Sequence, residues 1–190
     1  MNQQKDRMAG WLAVLAGVAL IPEVLLLLGF DTGRLNSLNV LAAGALILGL
    51  RIAFTAYALL RFRASLRRSI DFHGLDSLIP GMIVASIVLG MAVIAARVPG
   101  TSDAYPMIWM VLLATGGIVG VLSVAIGWRL LRLDVDFGGL GRPFAWSCIL
   151  APICFATVVA APLGLLLLAA SSIMLGLILL RGGVAPPEFV

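Results

Sequence analysis

The residues that could do chemistry in this 190-residue chain are few, and they do not form a catalytic arrangement. Its single histidine, His73, lies between Asp71 and Asp76, and an imidazole flanked by carboxylates can sense pH near neutrality. A lone loop histidine is, however, more often simply exposed to solvent. Asp134 and Asp136 lack the partner ligands and the motifs of an intramembrane enzyme or a metal site. The sequence therefore predicts a non-enzymatic protein with no catalytic residue, no metal site and no cofactor.

Glu23 and Arg51 are unusual because each lies inside a long apolar run. A charge at the centre of a bilayer costs about 3 kcal/mol on insertion scales, so each side chain needs a partner or water. Counted from the helix ends, their depths differ by about 9 Å, most of which an arginine side chain can span. We predict that the two face each other inside a helical bundle. The alternative is the polar site of a small transporter or channel subunit.

The two cysteines, Cys148 and Cys154, lie six residues apart in another apolar run. On a helix they are about 9 Å apart along the axis, whereas a disulfide needs Cα atoms within roughly 7 Å. Neither a Cys-x-x-Cys motif nor a cysteine–histidine cluster offers ligands for zinc. We therefore expect two small, buried, unbridged side chains.

The composition indicates that these residues lie in a membrane protein. The chain is 62% hydrophobic and 12% charged, and its mean hydropathy is +1.12. Soluble proteins are about half apolar and about a quarter charged. These values exclude a water-soluble enzyme, a nucleic-acid-binding protein and a disordered scaffold.

The apolar runs predict an all-α, polytopic bundle that forms one transmembrane domain over residues 1–190, since a span needs about 20 mostly apolar residues. The last run, 144–180, is too long for one span, and Pro162 and Gly164 divide it into two. A single kinked helix is the alternative. The six predicted spans are 8–30, 38–60, 78–97, 105–131, 144–160 and 163–180.

Six spans place ten of the thirteen basic residues on one side of the membrane. Basic residues are enriched in cytoplasmic segments, so both termini are predicted to be cytoplasmic in a multi-pass protein of the inner (plasma) membrane. The ten residues are Lys5, Arg7, Arg61, Arg63, Arg67, Arg68, Arg129, Arg132, Arg142 and Arg181.

The even-numbered spans end in one pattern, small-x-x-Leu-Leu-Arg, which closes at Arg61, Arg132 and Arg181. The motif Asp-Phe-x-Gly-Leu follows the first two copies, at 71–75 and 136–140. Three repeated helical hairpins explain both patterns. An aromatic or apolar helix end closed by an arginine would also suit any cytoplasmic helix end.

Glycines punctuate the even spans, from Leu41 to Arg61 and from Val111 to Arg132. Tryptophan lies near the starts of odd spans and proline near their ends, at Trp11, Trp146, Pro99 and Pro162. In these features the chain resembles the HdeD-like membrane proteins, although Pro22, Glu23 and Arg51 depart from the pattern. The resemblance implies a six-helix bacterial inner-membrane protein linked to acid or envelope stress.

Two further sets of residues are candidates for contacts. Small residues at helix-packing spacing allow close helix approach within the chain, in a homo-oligomer or in a larger membrane complex; they are Gly49, Gly116, Gly120, Gly127 and Gly176. Between Arg61 and Ser77, Phe62, Leu66 and Ile70 recur every four residues. This pattern predicts a short amphipathic helix on anionic lipids, with a solvated connector as the alternative. The lipid-headgroup contacts would be Arg61, Arg63, Arg67 and Arg68.

Overall fold

The computed structural model describes residues 2–31, 38–97, 105–133, 137–157 and 161–181, and it describes residues 2, 3, 23–31, 38–40, 105 and 161 by their backbone alone. These residues form six α-helices and no strand, which confirms the predicted all-α class. The helices are α1 (Asn2–Asp31), α2 (Leu38–Ile70), α3 (Leu78–Ala95), α4 (Tyr105–Leu131), α5 (Gly141–Ala156) and α6 (Ala161–Leu180).

Four of the helices are long and apolar enough to cross a membrane, in their parts Leu41–Ile70, Leu78–Ala95, Pro106–Leu131 and Pro162–Leu180. The chain is thus a membrane-embedded helical protein. With 16 residues, α5 is about 24 Å long, shorter than a hydrocarbon core of about 30 Å. Six spans therefore stay a prediction.

The helices can be compared with the predicted spans. The run 144–180 does form two helices, and Pro162 is the second residue of α6, where a missing N–H costs little. The second span is predicted to end at residue 60, and the helix that contains it, α2, continues without a break to Ile70. The extension is stable because Phe62 and Leu66 are fully buried against other helices.

Each helix packs against its neighbours in sequence, α6 also packs against α1, and α2 touches α6, so the six helices form a closed ring. One hydrophobic cluster joins the first turns of α3 and α5 and the early part of α1 to the last turns of α2, α4 and α6. Successive helices therefore run in opposite directions. The arginine-bearing helix ends consequently meet at one end of the bundle, which we call the basic end.

Close backbone contacts hold the ring together near the basic end. A Cβ atom at Gly176 would lie 2.6 Å from the carbonyl oxygen of Gly10, so only glycine permits this crossing of α1 and α6. A Cβ at Gly127 would lie 2.6 Å from the carbonyl oxygen of Ala145, where α4 crosses α5. Without side chains the backbones can approach closely, which favours helix association in lipid.

Candidate functional site

Two regions of the described residues have features beyond ordinary helix packing. The first is the basic end, where carboxylates and arginines meet above an aromatic core. The second is an apolar groove between α2 and α3 in the other half of the bundle. That half, the open half, comprises 41–56 of α2, 84–95 of α3 and 106–120 of α4.

Asp6 is the centre of one ion-pair cluster at the basic end. Arg61 donates to its Oδ1 from Nε at 2.9 Å and from Nη2 at 2.6 Å, and Arg68 Nη2 donates to its Oδ2 at 3.2 Å. The side chain of Asp6 is only 13% exposed. The two arginines therefore fix α2 to the first turns of α1.

Asp76 is the centre of a second cluster, directly before α3. Arg63 Nε and Arg67 Nε donate to its Oδ1 at 2.7 and 2.8 Å, and Arg67 Nη2 pairs with its Oδ2. His73 Nδ1 lies 2.9 Å from the same Oδ2. The hydrogen bond from Arg67, with those from Arg63 and His73, holds the pKa of Asp76 well below its usual range.

His73 is bracketed by carboxylates on both sides of its ring, because its Nε2 also lies 3.1 Å from Asp71 Oδ1. The hydrogen bond with Asp76, followed by that with Asp71, raises the pKa of His73 above its ordinary value. Asp71 has a φ of 50°, a left-handed conformation that aspartate tolerates better than most residues. The histidine is 60% exposed, so it is both solvent-accessible and paired.

These clusters correct the expected use of the Arg61–Ser77 segment. Its first ten residues are the end of α2, not a separate helix on the membrane surface. Phe62 contacts the rings of Phe144 and Phe137, with centroids 5.9 and 6.1 Å apart, and Leu66 is fully buried. The apolar face is therefore covered by protein, so it is not available to enter a bilayer.

Headgroup contact by the four arginines stays a prediction. Arg61 and Arg63 are mostly buried in their ion pairs, with side chains 18% and 24% exposed. Arg67 and Arg68 are about two-fifths exposed. Of the four, the second pair has more surface with which to reach an anionic lipid.

The arginines also close each hairpin, a role that the repeated sequence patterns did not reveal. In the first hairpin Arg61 of α2 binds Asp6 near the start of α1. In the second, Arg129 of α4 donates to the carbonyl oxygen of Gly74, just before α3. In the third, Arg181 after α6 donates to the carbonyl oxygen of Gly138, just before α5, at 3.0 Å.

The five glycines predicted to pack helices differ in their surroundings. Gly127 and Gly176 lie at the close crossings described above, and a Cβ at Gly120 would meet Pro152 at 3.3 Å. At Gly49 and Gly116 a Cβ would meet no atom within 4 Å. Helix packing at those two positions therefore stays a prediction, because no described neighbour lies against either of them. Gly10 and Gly17 of α1, which the spacing analysis missed, do lie against α6.

The open half contains an apolar groove of about 300 Å³ between α2 and α3. Its floor is the crossing of the two helices, where a Cβ at Gly90 would lie 2.5 Å from Ile52 Cδ1. None of the described residues that line it is charged; they are Leu48, Gly49, Ile52, Ala53, Ala56, Ile87, Gly90, Met91 and Ile94.

The predicted Glu23–Arg51 pair lies outside what the structure describes, because only the backbone of Glu23 is described. Arg51 itself is half-buried on α2. Gly90 packs between Leu48 and Ile52, so Arg51 is level with the last third of α3. It is thus about 8 Å from the end of that helix, shallower than its position along α2 alone implies.

Both cysteines are free: Cys148 is buried and Cys154 half-buried. The described residues contain no group of three or more histidine, cysteine or acidic side chains that could hold a metal ion.

No protein-family model, no curated protein and no solved structure matches this chain.

Proposed function

We propose that this chain is a non-enzymatic, six-span protein of a bacterial inner membrane that acts as an accessory component of a membrane complex or in acid or envelope stress. The observation that carries the proposal is the division of the bundle. Its polar groups are concentrated at one end and bind each other, whereas the sides of α2, α3, α4 and α6 expose large apolar side chains. Polar groups that neutralise each other hold helices in place, and a broad apolar surface suits lipid and other membrane helices.

Six spans are favoured because α1 and α5 lie alongside the four long apolar helices. A Cβ at Gly17 of α1 would lie 2.9 Å from the carbonyl oxygen of Ala169, seven residues from the crossing at Gly10. Ser123 of α4 donates to the carbonyl oxygen of Cys148 at 2.8 Å, and Ser147 of α5 accepts from Ser171 of α6 at 2.7 Å. Because α1 and α5 pack along these membrane-crossing helices, we expect α1 and α5 to lie in the membrane as well.

A cytoplasmic basic end is favoured by its charge, because basic residues are enriched on the cytoplasmic side. Reporter fusions at Asn2 and Val190 should both report cytoplasm, and a fusion near Pro162 should report the opposite side. A fusion at Val190 reporting the periplasm would reduce the count to five spans and contradict the third hairpin.

The stress role rests on the resemblance to HdeD-like proteins and has its own test. A strain that lacks this chain should survive a shift to acid medium less well than its parent, and expression of the chain should restore survival. A matched control is the Gly176→Leu variant, which should not restore survival because its Cβ would clash with Gly10. Equal survival with and without the chain would contradict the stress role and leave the accessory role.

The alternative function, a small transporter or channel subunit, is favoured by the position of Arg51 within an apolar helix. If Glu23 and Arg51 form a structural pair, Glu23→Gln and Arg51→Gln should each lower thermal stability in detergent. Each single variant should lose about 3 kcal/mol of the free energy of unfolding, and the double variant should recover part of that loss. Additive losses would contradict the pair. Normal stability in both single variants, with neither variant able to restore survival in acid medium, would instead support the transporter.

A further inference from the structure

We propose that the groove between α2 and α3 binds one acyl chain of an anionic phospholipid, with the headgroup phosphate at Arg97. The inference rests on the proposed insertion of α2 and α3 as spans, and it assigns a ligand class to a surface that packing leaves open. The reporter fusions described above test whether the helices cross the membrane, and their outcome does not depend on what occupies the groove.

The shape of the groove favours a chain over a helix. α2 and α3 touch at its floor, at Ile52 and Gly90, so a helix, about 10 Å across with its side chains, would lie over the groove without filling it. Gly49, Ala53 and Ala56 keep the α2 wall low. On the α3 wall, Met91 is 67% exposed, and its flexible thioether adapts to an irregular apolar ligand.

The depth of the groove matches the acyl region of one leaflet. Ile87 and Ile94, the outermost lining residues of α3, lie ten and three residues before Arg97. The groove therefore runs from about 4 Å to about 15 Å below Arg97 along the helix axis. This range lies within one half of a hydrocarbon core of about 30 Å.

Arg97 supplies the charge at the mouth of the groove. It follows α3 directly in a turn, with its backbone N–H bonded to the carbonyl oxygen of Ile94 at 3.0 Å. A helix repeats every 3.6 residues, so Arg97 lies on the same side of α3 as Gly90 and Ile94. An arginine at this level attracts an anionic headgroup, while its apolar neighbours hold the attached chain.

Photo-crosslinking of the full-length protein tests the proposal. The protein is placed in vesicles that contain phosphatidylethanolamine and phosphatidylglycerol, with a small fraction of phosphatidylglycerol that carries a photoactivatable group on one acyl chain. Crosslinked peptides are identified by mass spectrometry. We expect labelling at Ile52 and Met91 to exceed labelling at Leu113 of α4, which is 72% exposed and lies outside the groove.

Gly49→Leu should fill the groove and reduce labelling at Met91 to the level seen at Leu113. The variant should fold, since a Cβ at Gly49 meets open space. Gly44→Leu is the matched control: it lies on the same helix, also meets open space and does not line the groove. Ala53→Leu, on the same wall, provides a second filling variant. Labelling that Gly49→Leu and Ala53→Leu leave unchanged would overturn the proposal.

Arg97→Gln should reduce the preference for phosphatidylglycerol over a phosphatidylcholine probe by about fivefold, which corresponds to about 1 kcal/mol. An unchanged preference would overturn the assignment of the headgroup. A second copy of the chain is the competing occupant, and Ala53→Cys tests it. Formation of a disulfide-linked dimer at that position under mild oxidation would overturn lipid occupancy, whereas a monomer would support it.

Discussion

The basic end and the open half are parts of the same six helices, but different interactions hold them. At the basic end, Phe62, Leu66 and Leu179 are enclosed by neighbouring helices, and the carboxylates of Asp6 and Asp76 bind the arginines between them. In the open half a Cβ at Gly44 or Gly49 of α2 would meet no atom of the described residues within 4 Å, and large apolar side chains remain exposed.

The difference shows that interactions within the chain can stabilise one end of a membrane protein while lipid solvates the other. Lipid solvates apolar side chains as well as protein does, so exposed leucines in the open half carry little penalty. At the helix ends, by contrast, arginines and backbone carbonyls need partners, and the chain supplies them from within. We therefore expect sensitivity to substitution to be concentrated at the basic end.

The largest expected difference in stability is between a glycine-to-leucine substitution at the basic end and the same substitution in the open half. Gly127→Leu and Gly176→Leu should each destabilise the protein by about 3 kcal/mol or more, because the new side chain must displace a backbone carbonyl. Gly116→Leu should have little effect, since its Cβ meets open space. Thermal unfolding in detergent measures the difference. Equal losses at all three positions would break the distinction between the two regions.

A smaller effect is expected from the carboxylate that joins α1 to α2. Asp6→Asn should lower the free energy of unfolding by about 2 kcal/mol, because two arginines lose a charged acceptor. The control is Asp71→Asn, at a side chain that is 91% exposed, and it should change stability little. If both variants unfold alike, ion pairing does not stabilise the basic end.

The smallest effect is a dependence of stability on pH at His73. Its pKa is raised from an ordinary value of 6.5, so protonated His73 stabilises the folded state fully below that value. The stabilisation should be lost as pH rises through the folded pKa. The pKa of Asp76 is lowered from 3.8, so its stabilisation is lost only in acid.

Melting temperatures measured from about pH 6 to about pH 9 should therefore decline more for the native chain than for His73→Gln. Parallel curves for the two proteins would show that the bonds to Asp71 and Asp76 do not favour the protonated ring.

The sequence by itself determined the features that follow from local chemistry. Apolar length and period identified helices, and Pro162 marked the first turn of α6, where the backbone hydrogen bond that proline cannot donate is not needed. The alternation of helices explains why the arginines after Leu60, Leu131 and Leu180 meet at one end. The small-residue spacing identified Gly127 and Gly176, since close crossings require residues without side chains.

Only the tertiary structure decided which residues from distant segments contact each other. The Phe62, Leu66 and Ile70 periodicity is the same whether its apolar face meets lipid or protein, and the burial of Phe62 and Leu66 within the bundle decided the question. Gly49 and Gly127 have similar local patterns, yet a helix covers only Gly127. Asp6 and Arg61 are 55 residues apart, and no local pattern specifies that pairing. Contacts between distant segments depend on how helices pack, which spacing within one helix does not encode.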